Sequence, residues 1–321
     1  MHRLHKHLRT LHHTGSQTEN SVVILEEPEE QLEVQPQEVP EADEEDVEEL
    51  PECPDHRPSS FERAGQPRAG KDVLRPQPQV LHVAVAGHEL AVVERDSTSD
   101  PATGRVLTGS WLWDSSLVLA AHLAVDSRAR RRLLGTTVVE LHAGSTGLPG
   151  AADVACLGAA RCVLTDVAAL LPGLRANADA NGLSAKRADM RELRWGDRLQ
   201  LEDEERVGVV LLSDVFYDPE DMPAMAATLR GMWWTDEDED EEGGGGGTVG
   251  WVASEVRDSV LDCMDVLREH GFEGAEVNRV TRPLLRDPRQ TAAFAVYRVS
   301  LRQGNFLNNE RGADFGCSPS C

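Results

Sequence analysis

From residue 137 onward, short apolar runs alternate with segments whose apolar residues recur at helical spacing. The runs Thr137–Leu141, Arg161–Asp166 and Val207–Ser213 are apolar along most of their length, which is typical of strands buried on both faces of a parallel sheet. Helices are predicted between them, at 147–157 and 168–182. Because strands and helices alternate, the sequence predicts an α/β fold, with a Rossmann-like parallel sheet and helices on both faces.

The remaining predicted elements extend this pattern in both directions. Their ranges are strands at 80–85 and 89–94, a helix at 111–125, a weaker strand at 184–189, a helix at 223–234, a strand at 248–253, a helix at 256–270, and strands at 276–282 and 291–300. The two early strands are joined by a short turn. Together these elements define one predicted domain, residues 80–302.

The formal charge of −24 is concentrated in two segments of the 321-residue chain. Residues 26–52 hold 14 acids and no Lys or Arg, and residues 236–242 hold 7 more acids followed by five glycines. We interpret 1–79 as a disordered acidic tail, 235–247 as an acidic and glycine-rich loop, and 303–321 as a disordered tail. The rest of the chain is close to neutral. Its only basic run, 128–132, is broken by Ala129 and is interpreted as a solvated helix end, so nucleic acid is not an expected partner.

Neither a membrane segment nor a metal site is expected from the sequence. No apolar stretch approaches the roughly 20 residues that span a bilayer. The six cysteines form no CxxC pair, and the histidines show no zinc-ligand spacing beside them, which favours free thiols in a reducing compartment. The expectation is therefore a monomer in the cytoplasm or nucleus.

The segment most informative about chemistry runs from residue 138 to residue 150. It is a strand that carries Glu140 near its end, followed by a turn that contains Gly144 and Gly147. Glycines at such a turn let a ligand approach the backbone closely. The next strand ends in Asp166, about 20 residues further on, where a carboxylate can bind both hydroxyls of a ribose. This pattern alone fits either a dinucleotide or an adenosyl ligand.

The acid on the first strand separates these two ligands. A carboxylate at Glu140 would repel a pyrophosphate but would attract a cationic ligand such as a sulfonium. Three acids, Glu140, Asp166 and Asp214, lie at or next to the ends of apolar strands. Because the carboxyl ends of parallel strands meet at one edge of a sheet, the three are predicted to lie together. The pattern therefore favours the adenosyl ligand.

The order of motifs resembles methyltransferase family 16, the lysine methyltransferase-like proteins with a seven-stranded sheet. In chain order, the matching segments are the Trp-containing segment 109–120, the glycine turn from Glu140-Leu141 to Gly147-Leu148, Asp166 at the end of the second strand, Leu193-Arg-Trp195-Gly196, and Asp214-Val-Phe-Tyr217. The resemblance covers about residues 80–300. It implies a seven-stranded class I methyltransferase fold preceded by a small β-meander.

The resemblance also implies a cofactor, a substrate class and residue roles. The cofactor would be S-adenosylmethionine, and the substrate a side chain of another protein, most often lysine. Asp214 and Tyr217 would face the incoming side chain. The implied cofactor contacts are Glu140, Ala143, Gly144 and Gly147 around the methionine moiety, Asp166 at the ribose, Trp195 beside the adenine and Trp113 at the entrance.

One departure from the family pattern keeps two alternatives open. His142 stands where the family has its first glycine, and Gly147 comes one residue later than the family spacing. Histidine adopts left-handed backbone angles less readily than glycine. Either the loop shifts and the protein is an active methyltransferase, or the fold is catalytically silent and serves as an interaction module. A nicotinamide-dependent oxidoreductase is a third alternative, supported only by the glycine turn and Asp166.

Overall fold

The computed structural model describes residues 21–24, 79–95, 98–99, 104, 106–201, 206–234 and 247–302. The strands in chain order are β1 (Ser21–Ile24), β2 (Gln79–Val85), β3 (His88–Glu94), β4 (Thr98–Ser99), β5 (Val106–Leu107), β6 (Thr137–Leu141), β7 (Arg161–Asp166), β8 (Ala188–Glu192), β9 (Val207–Ser213), β10 (Val249–Glu255), β11 (Phe272–Pro283) and β12 (Thr291–Leu301). The α-helices are α1 (Asp114–Val125), α2 (Ser127–Leu133), α3 (Leu148–Ala152), α4 (Leu171–Ala180), α5 (Met222–Met232) and α6 (Asp258–Glu269). Two 3₁₀ turns, Thr108–Ser110 and Pro219–Asp221, precede α1 and α5, and a π-helical turn, Asp153–Leu157, follows α3.

Seven of these strands form one sheet in the order β11-β12-β10-β9-β6-β7-β8. The pairs β7–β8, β6–β7, β6–β9 and β9–β10 are parallel, whereas β12 runs antiparallel to both β10 and β11. After β6 the chain builds outward to β8 on one side and then returns to β9 on the other. The carboxyl ends of β6 and β9 therefore flank a topological switch point, where open α/β sheets bind their ligands. The predicted seven-stranded α/β fold is confirmed.

Successive residues of the central strands contribute to two separate apolar cores. Val138 and Leu211 pack into the core formed with α1, α2 and α3, whereas Val139 and Leu212 pack into the core formed with α5 and α6. Neighbouring side chains of a strand point to opposite faces, so a strand covered on both sides must be apolar at every position. This explains why these strands are continuous apolar runs.

The edge strand β8 differs from the sequence-based prediction. We predicted a strand at 184–189, but the strand is Ala188–Glu192, paired with β7 along its length. The first part of the predicted range is a turn, in which the N–H groups of Arg187 and Ala188 donate to the carbonyl of Ser184. Because β8 is an edge strand of polar composition, its apolar pattern is too weak to fix its ends.

The segment before the main sheet contains a hairpin and one additional strand. β2 and β3 pair antiparallel as predicted, and β1 pairs in parallel with β2 on its other side. Ser21–Ile24 lies within the range 1–79 that was predicted to be a disordered acidic tail, and it pairs with β2 as a strand. Their Val-Val-Ile run has high strand propensity and extends the hairpin. The rest of the predicted tails, and most of the predicted acidic loop 235–247, lie outside the described residues.

Two further observations concern membrane-spanning helices and cysteines. No helix in the described ranges has the length and apolar character needed to cross a bilayer. Three cysteines of the described part, Cys156, Cys162 and Cys263, are free thiols.

Candidate functional site

A cavity of about 390 Å³ opens at the carboxyl ends of β6, β7 and β9. Its volume falls in the range of small-molecule sites, and it lies at the switch point of the sheet. Six of the nine residues predicted from the sequence line it: Trp113, Ala143, Gly144, Asp166, Asp214 and Tyr217. The other three, Glu140, Gly147 and Trp195, lie behind or beneath its wall.

The loop after β6 is held by backbone contacts. His142 and Gly144 both have positive φ, 52° and 63°, and a Cβ atom on Gly144 would lie 2.7 Å from the carbonyl oxygen of Gly109. The Ser145 N–H donates to that same carbonyl at 2.6 Å. The 3₁₀ turn Thr108–Ser110 therefore packs directly on the loop, and only glycine fits at position 144.

Gly147 has a packing role in this structure rather than a position on the cavity wall. It precedes α3 with a left-handed backbone, φ 52°, and its N–H donates to the Ala143 carbonyl at 3.0 Å. A Cβ atom there would lie 2.8 Å from the Leu174 side chain. The loop thus accommodates its additional residue with three left-handed positions between β6 and α3, and Gly147 directs the chain into the helix.

Asp166 is buried at the end of β7 and faces the cavity. One carboxylate oxygen accepts a hydrogen bond from the Gly144 N–H at 2.9 Å, and the other accepts one from the Val167 N–H at 2.7 Å. Burial raises the pKa of Asp166, while the nearby His142 and the two backbone N–H groups oppose the rise. Each carboxylate oxygen has two lone pairs, so each retains one for a ligand hydroxyl.

Glu140 does not face the cavity. It is fully buried beneath the loop, where its carboxyl accepts a hydrogen bond from the Gly150 N–H at 2.8 Å. Burial raises the pKa of Glu140 to about 8, the Gly150 N–H opposes the rise and the Asp166 carboxylate adds to it. At neutral pH this carboxyl is therefore mostly protonated. The sequence-based argument that its negative charge selects a cation over a pyrophosphate does not hold for this state.

A second buried acid accompanies Glu140. Asp153 has no exposed surface, and neither of its carboxylate oxygens has a hydrogen-bond partner among the described residues. Burial raises the pKa of Asp153 well above its usual range, and Glu140 adds to the rise. The π-helical turn places Asp153 in this position, so two buried carboxyls with raised pKa values lie close together.

His142 and Trp195 form an aromatic pair beside the cavity. Their ring centroids are 4.3 Å apart, with the planes tilted by 38°, and Trp195 also stacks on Tyr217 at 5.8 Å. His142 lines the cavity, whereas Trp195 lies behind it. Burial lowers the pKa of His142, and the carboxylates of Asp166 and Asp221 oppose this. The ring that faces a ligand here is therefore His142, where the sequence predicted Trp195.

Asp214 follows β9 with a left-handed backbone, φ 54°. Its N–H donates to the Ala253 carbonyl at 2.8 Å. Arg257 pairs with the Asp214 carboxylate, and the Ser254 hydroxyl donates to the same oxygen at 3.4 Å. Because Arg257 also lines the cavity, this wall carries one cation beside the acid predicted to face the substrate.

Tyr217 is half exposed at the mouth of the cavity, and Trp113 is 42% exposed there. Burial of the phenol raises the pKa of Tyr217 to about 12, and four carboxylates add to the rise: Asp221, Asp166, Asp218 and Asp214. The phenol therefore stays protonated at neutral pH and can donate a hydrogen bond but cannot act as a base. Four acids near one hydroxyl make this end of the cavity attractive to cations.

Sequence reasoning missed three contributors to this site. Arg257 precedes α6 and had no motif context, and the Thr108–Ser110 turn was recognised only as part of a Trp-containing segment. Ser213 lines the cavity, and its hydroxyl is buried without a hydrogen-bond partner among the described residues. Its position at the end of an apolar strand was the one feature of the sequence that could have indicated a role in the site. Across the described part of the chain, no cluster of three or more metal-ligating side chains occurs.

Comparisons with known proteins agree with this geometry. Residues 101–238 match the lysine methyltransferase family. The chain is 35% identical over 121 residues to protein N-lysine methyltransferase METTL21A of Danio rerio and 32% identical over 120 residues to the Mus musculus protein of the same name. Each match covers 37% of this chain and spans about half of the relative, 53% and 52% of its length.

Solved methyltransferases were also found among structurally similar proteins. A precorrin-6y C5,15-methyltransferase from Geobacter metallireducens superimposes with a TM-score of 0.36 and 13% identity, over 54% of this chain and 84% of that one. The glycopeptide N-methyltransferase MtfA superimposes with a TM-score of 0.39 and 12% identity, over 60% and 92%.

The strand order, with β12 antiparallel, and the cavity at the switch point define a class I methyltransferase fold. Within that class, the predicted resemblance to methyltransferase family 16 is confirmed by the match of residues 101–238 to the lysine methyltransferase family. The family match leaves the nicotinamide-dependent alternative without support.

Proposed function

We propose that this protein transfers a methyl group from S-adenosylmethionine to a lysine side chain of another protein. The observation that carries the proposal is the cavity at the switch point, which has Asp166 on one wall and Asp214 and Tyr217 on another. The relatives named protein N-lysine methyltransferase support the acceptor class.

The residues of the cavity fit the cofactor. Asp166 keeps one free lone pair on each oxygen, which suits the two hydroxyls of a ribose. Ala143 and Gly144 present backbone to the cavity, where a methionine moiety would lie, and Trp113 stands at the entrance. The carboxylates of Asp166 and Asp214 suit a sulfonium cation. When bound, the cofactor supplies an electrophilic methyl group, and S-adenosylhomocysteine is left after transfer.

The acceptor side of the cavity suits a lysine. The carboxylates around Tyr217 attract the ammonium group to the mouth, and the Tyr217 hydroxyl orients the nitrogen. Removal from water favours the neutral amine, so the proton leaves to solvent before transfer. A neutral amine held by Tyr217 and Asp214 would be placed to accept the methyl group that the bound cofactor would supply. The protein contributes mainly proximity and orientation, which can supply several kcal/mol.

The test uses the full chain, S-adenosylmethionine with an isotopically heavy methyl group, and folded proteins of a cell extract. Mass spectrometry of the digested proteins should find heavy methyl groups on lysine, and Asp214→Ala should abolish the label. Asp179→Ala, an exposed acid on α4 far from the cavity, is the matched control and should label as the unchanged protein does. Heavy methyl groups on no lysine, or equal labelling by Asp214→Ala, would contradict the proposal.

The silent interaction module is the second candidate, and the geometry of His142 favours it. A non-glycine residue with positive φ occupies the family's first glycine position, and its ring takes space at the cavity wall. In that case S-adenosylhomocysteine would not bind to the folded protein. A binding measurement therefore separates the two candidates before any substrate is known.

A further inference from the structure

His142 forms a part of the cavity wall that the family pattern does not provide. His142 lines the cavity, and its imidazole packs against the indole of Trp195. With 4.3 Å between the two ring centroids, no third ring can enter between them. A ligand in the cavity therefore meets the imidazole and not the indole.

The charge of this imidazole depends on pH, and the surrounding groups set the pH at which it changes. The charged and titratable groups that face it or share its cavity are Asp166 after β7, Asp221 before α5, Asp214 and Tyr217 after β9, and Arg257 before α6. Glu140 lies beneath the same loop and titrates near pH 8. Burial disfavours the charged imidazole and lowers the pKa of His142, while the carboxylates of Asp166 and Asp221 oppose this.

We propose that His142 makes the cofactor site selective by charge, so that protonation of its imidazole weakens binding of cationic S-adenosylmethionine relative to the product S-adenosylhomocysteine. The inference rests on the proposed function, since it takes the cavity to be the cofactor site. It assigns to this chain a pH-dependent product inhibition that a glycine at position 142 would not produce.

The physical reason is the different charge of the two ligands. S-adenosylmethionine carries a sulfonium, whereas the sulfur of S-adenosylhomocysteine is neutral, and the rest of the two molecules is the same. A second cation on the wall repels only the first ligand. For two unit charges several Å apart in a partly buried site, the effect on relative affinity is roughly tenfold. It grows as the pH falls through the range in which His142 gains its proton.

The experiment is calorimetric titration of the full chain with each ligand between pH 5 and pH 8.5. For the unchanged protein, the ratio of the S-adenosylmethionine Kd to the S-adenosylhomocysteine Kd should rise about tenfold as the pH falls. In His142→Asn, which tolerates left-handed backbone and does not titrate, the ratio should stay constant. His88→Asn, an exposed histidine of the β2–β3 hairpin, is the matched control and should retain the rise.

The possible outcomes separate this inference from the proposed function. A constant ratio in the unchanged protein, or an equal rise in His142→Asn, would overturn the role of His142 while leaving the cofactor site in place. If the ratio of the two Kd values changes only near pH 8, the effect belongs to Glu140, and the role of His142 is overturned. If neither ligand binds the folded protein at pH 7, the proposed function fails, and this inference with it.

Discussion

The ends of β6 and β9 look alike in their backbone but are held in different ways. Each strand is followed by a non-glycine residue in the left-handed region, His142 with φ 52° and Asp214 with φ 54°. After β6, backbone hydrogen bonds and the close approach of Gly144 to Gly109 fix the loop. After β9, one backbone hydrogen bond joins Asp214 to Ala253, and the side chains of Arg257 and Ser254 hold the Asp214 carboxylate.

This difference suggests that the two sides of the cavity bind different ligands. The β6 side of the cavity is made of buried backbone, so its shape is fixed by the folded core. Such a side suits a ligand that is the same in every reaction, such as a cofactor. The β9 side is made of partly exposed side chains, so it can change without loss of the fold. Substitutions on the β6 side should therefore affect stability and cofactor binding, whereas those on the β9 side should affect the acceptor.

The largest effect is expected for Gly144→Ala on the β6 side. The added Cβ would lie 2.7 Å from a backbone oxygen, and alanine would have to adopt a φ of 63°. Because of these two costs, the free energy of unfolding should fall by roughly 3 kcal/mol. Gly87→Ala is the control, since its φ is 77° and no atom lies within 4 Å of the new Cβ. It should lose only about 1 kcal/mol. Equal losses in urea denaturation would mean that the close approach to Gly109 contributes little.

The next effect is on the β9 side. Asp214→Ala should lower methyl transfer on the order of 100-fold, because it removes a group that acts on the reacting amine. Its affinity for S-adenosylhomocysteine should stay within about twofold of the unchanged protein, because the sulfur of this ligand carries no charge for the Asp214 carboxylate to attract. A large loss of ligand affinity in this variant would show that the two halves of the cavity are not separable.

Glu140 should make stability depend on pH. Its pKa is raised to about 8 by burial, so between about pH 5 and 8 the folded state holds a proton that the unfolded state has lost. Stability is therefore fully present at acid pH and falls as the pH rises towards 8, by up to about 1.4 kcal/mol per pH unit. Glu140→Gln should remove this part of the slope, and Asp153 supplies the remainder. Parallel stability profiles of the two proteins would refute the assignment.

The smallest effect is expected for Arg257→Gln. Arg257 is 37% exposed on its side chain and pairs with Asp214, so an incoming ammonium competes with it for the carboxylate. Without the guanidinium, the KM for a lysine acceptor should fall about threefold, since exposed ion pairs are worth little. The melting temperature should not change. A raised KM would instead mean that Arg257 positions Asp214 for the acceptor.

Most of the fold followed from the sequence because its strands are buried on both faces. β6, β7 and β9 begin and end where their apolar runs do. β8 was misplaced because it is a polar edge strand that begins after a turn. Strand boundaries were thus predictable for strands whose burial requires apolar residues. They were not predictable for an edge strand, where polar residues are tolerated.

The position of the site in the sheet was predictable from the sequence, but the directions in which its side chains point were not. Asp166 and Asp214 line the cavity because an acid just after an apolar strand must lie at the carboxyl edge of the sheet. The side chain of Glu140 turns beneath the loop to meet the Gly150 N–H, which depends on how the additional loop residue is accommodated. The pairing of Asp214 with Arg257 joins residues 43 positions apart and has no signal in the local pattern.

Titration of S-adenosylhomocysteine into the full chain, followed by calorimetry, tests the central claim most directly. The account predicts micromolar binding by the unchanged protein and at least a tenfold weaker Kd for Asp166→Ala, because the ribose hydroxyls would lose both carboxylate oxygens. Absence of binding to the folded, unchanged protein, or equal binding by Asp166→Ala, would contradict the assignment of this cavity as the cofactor site.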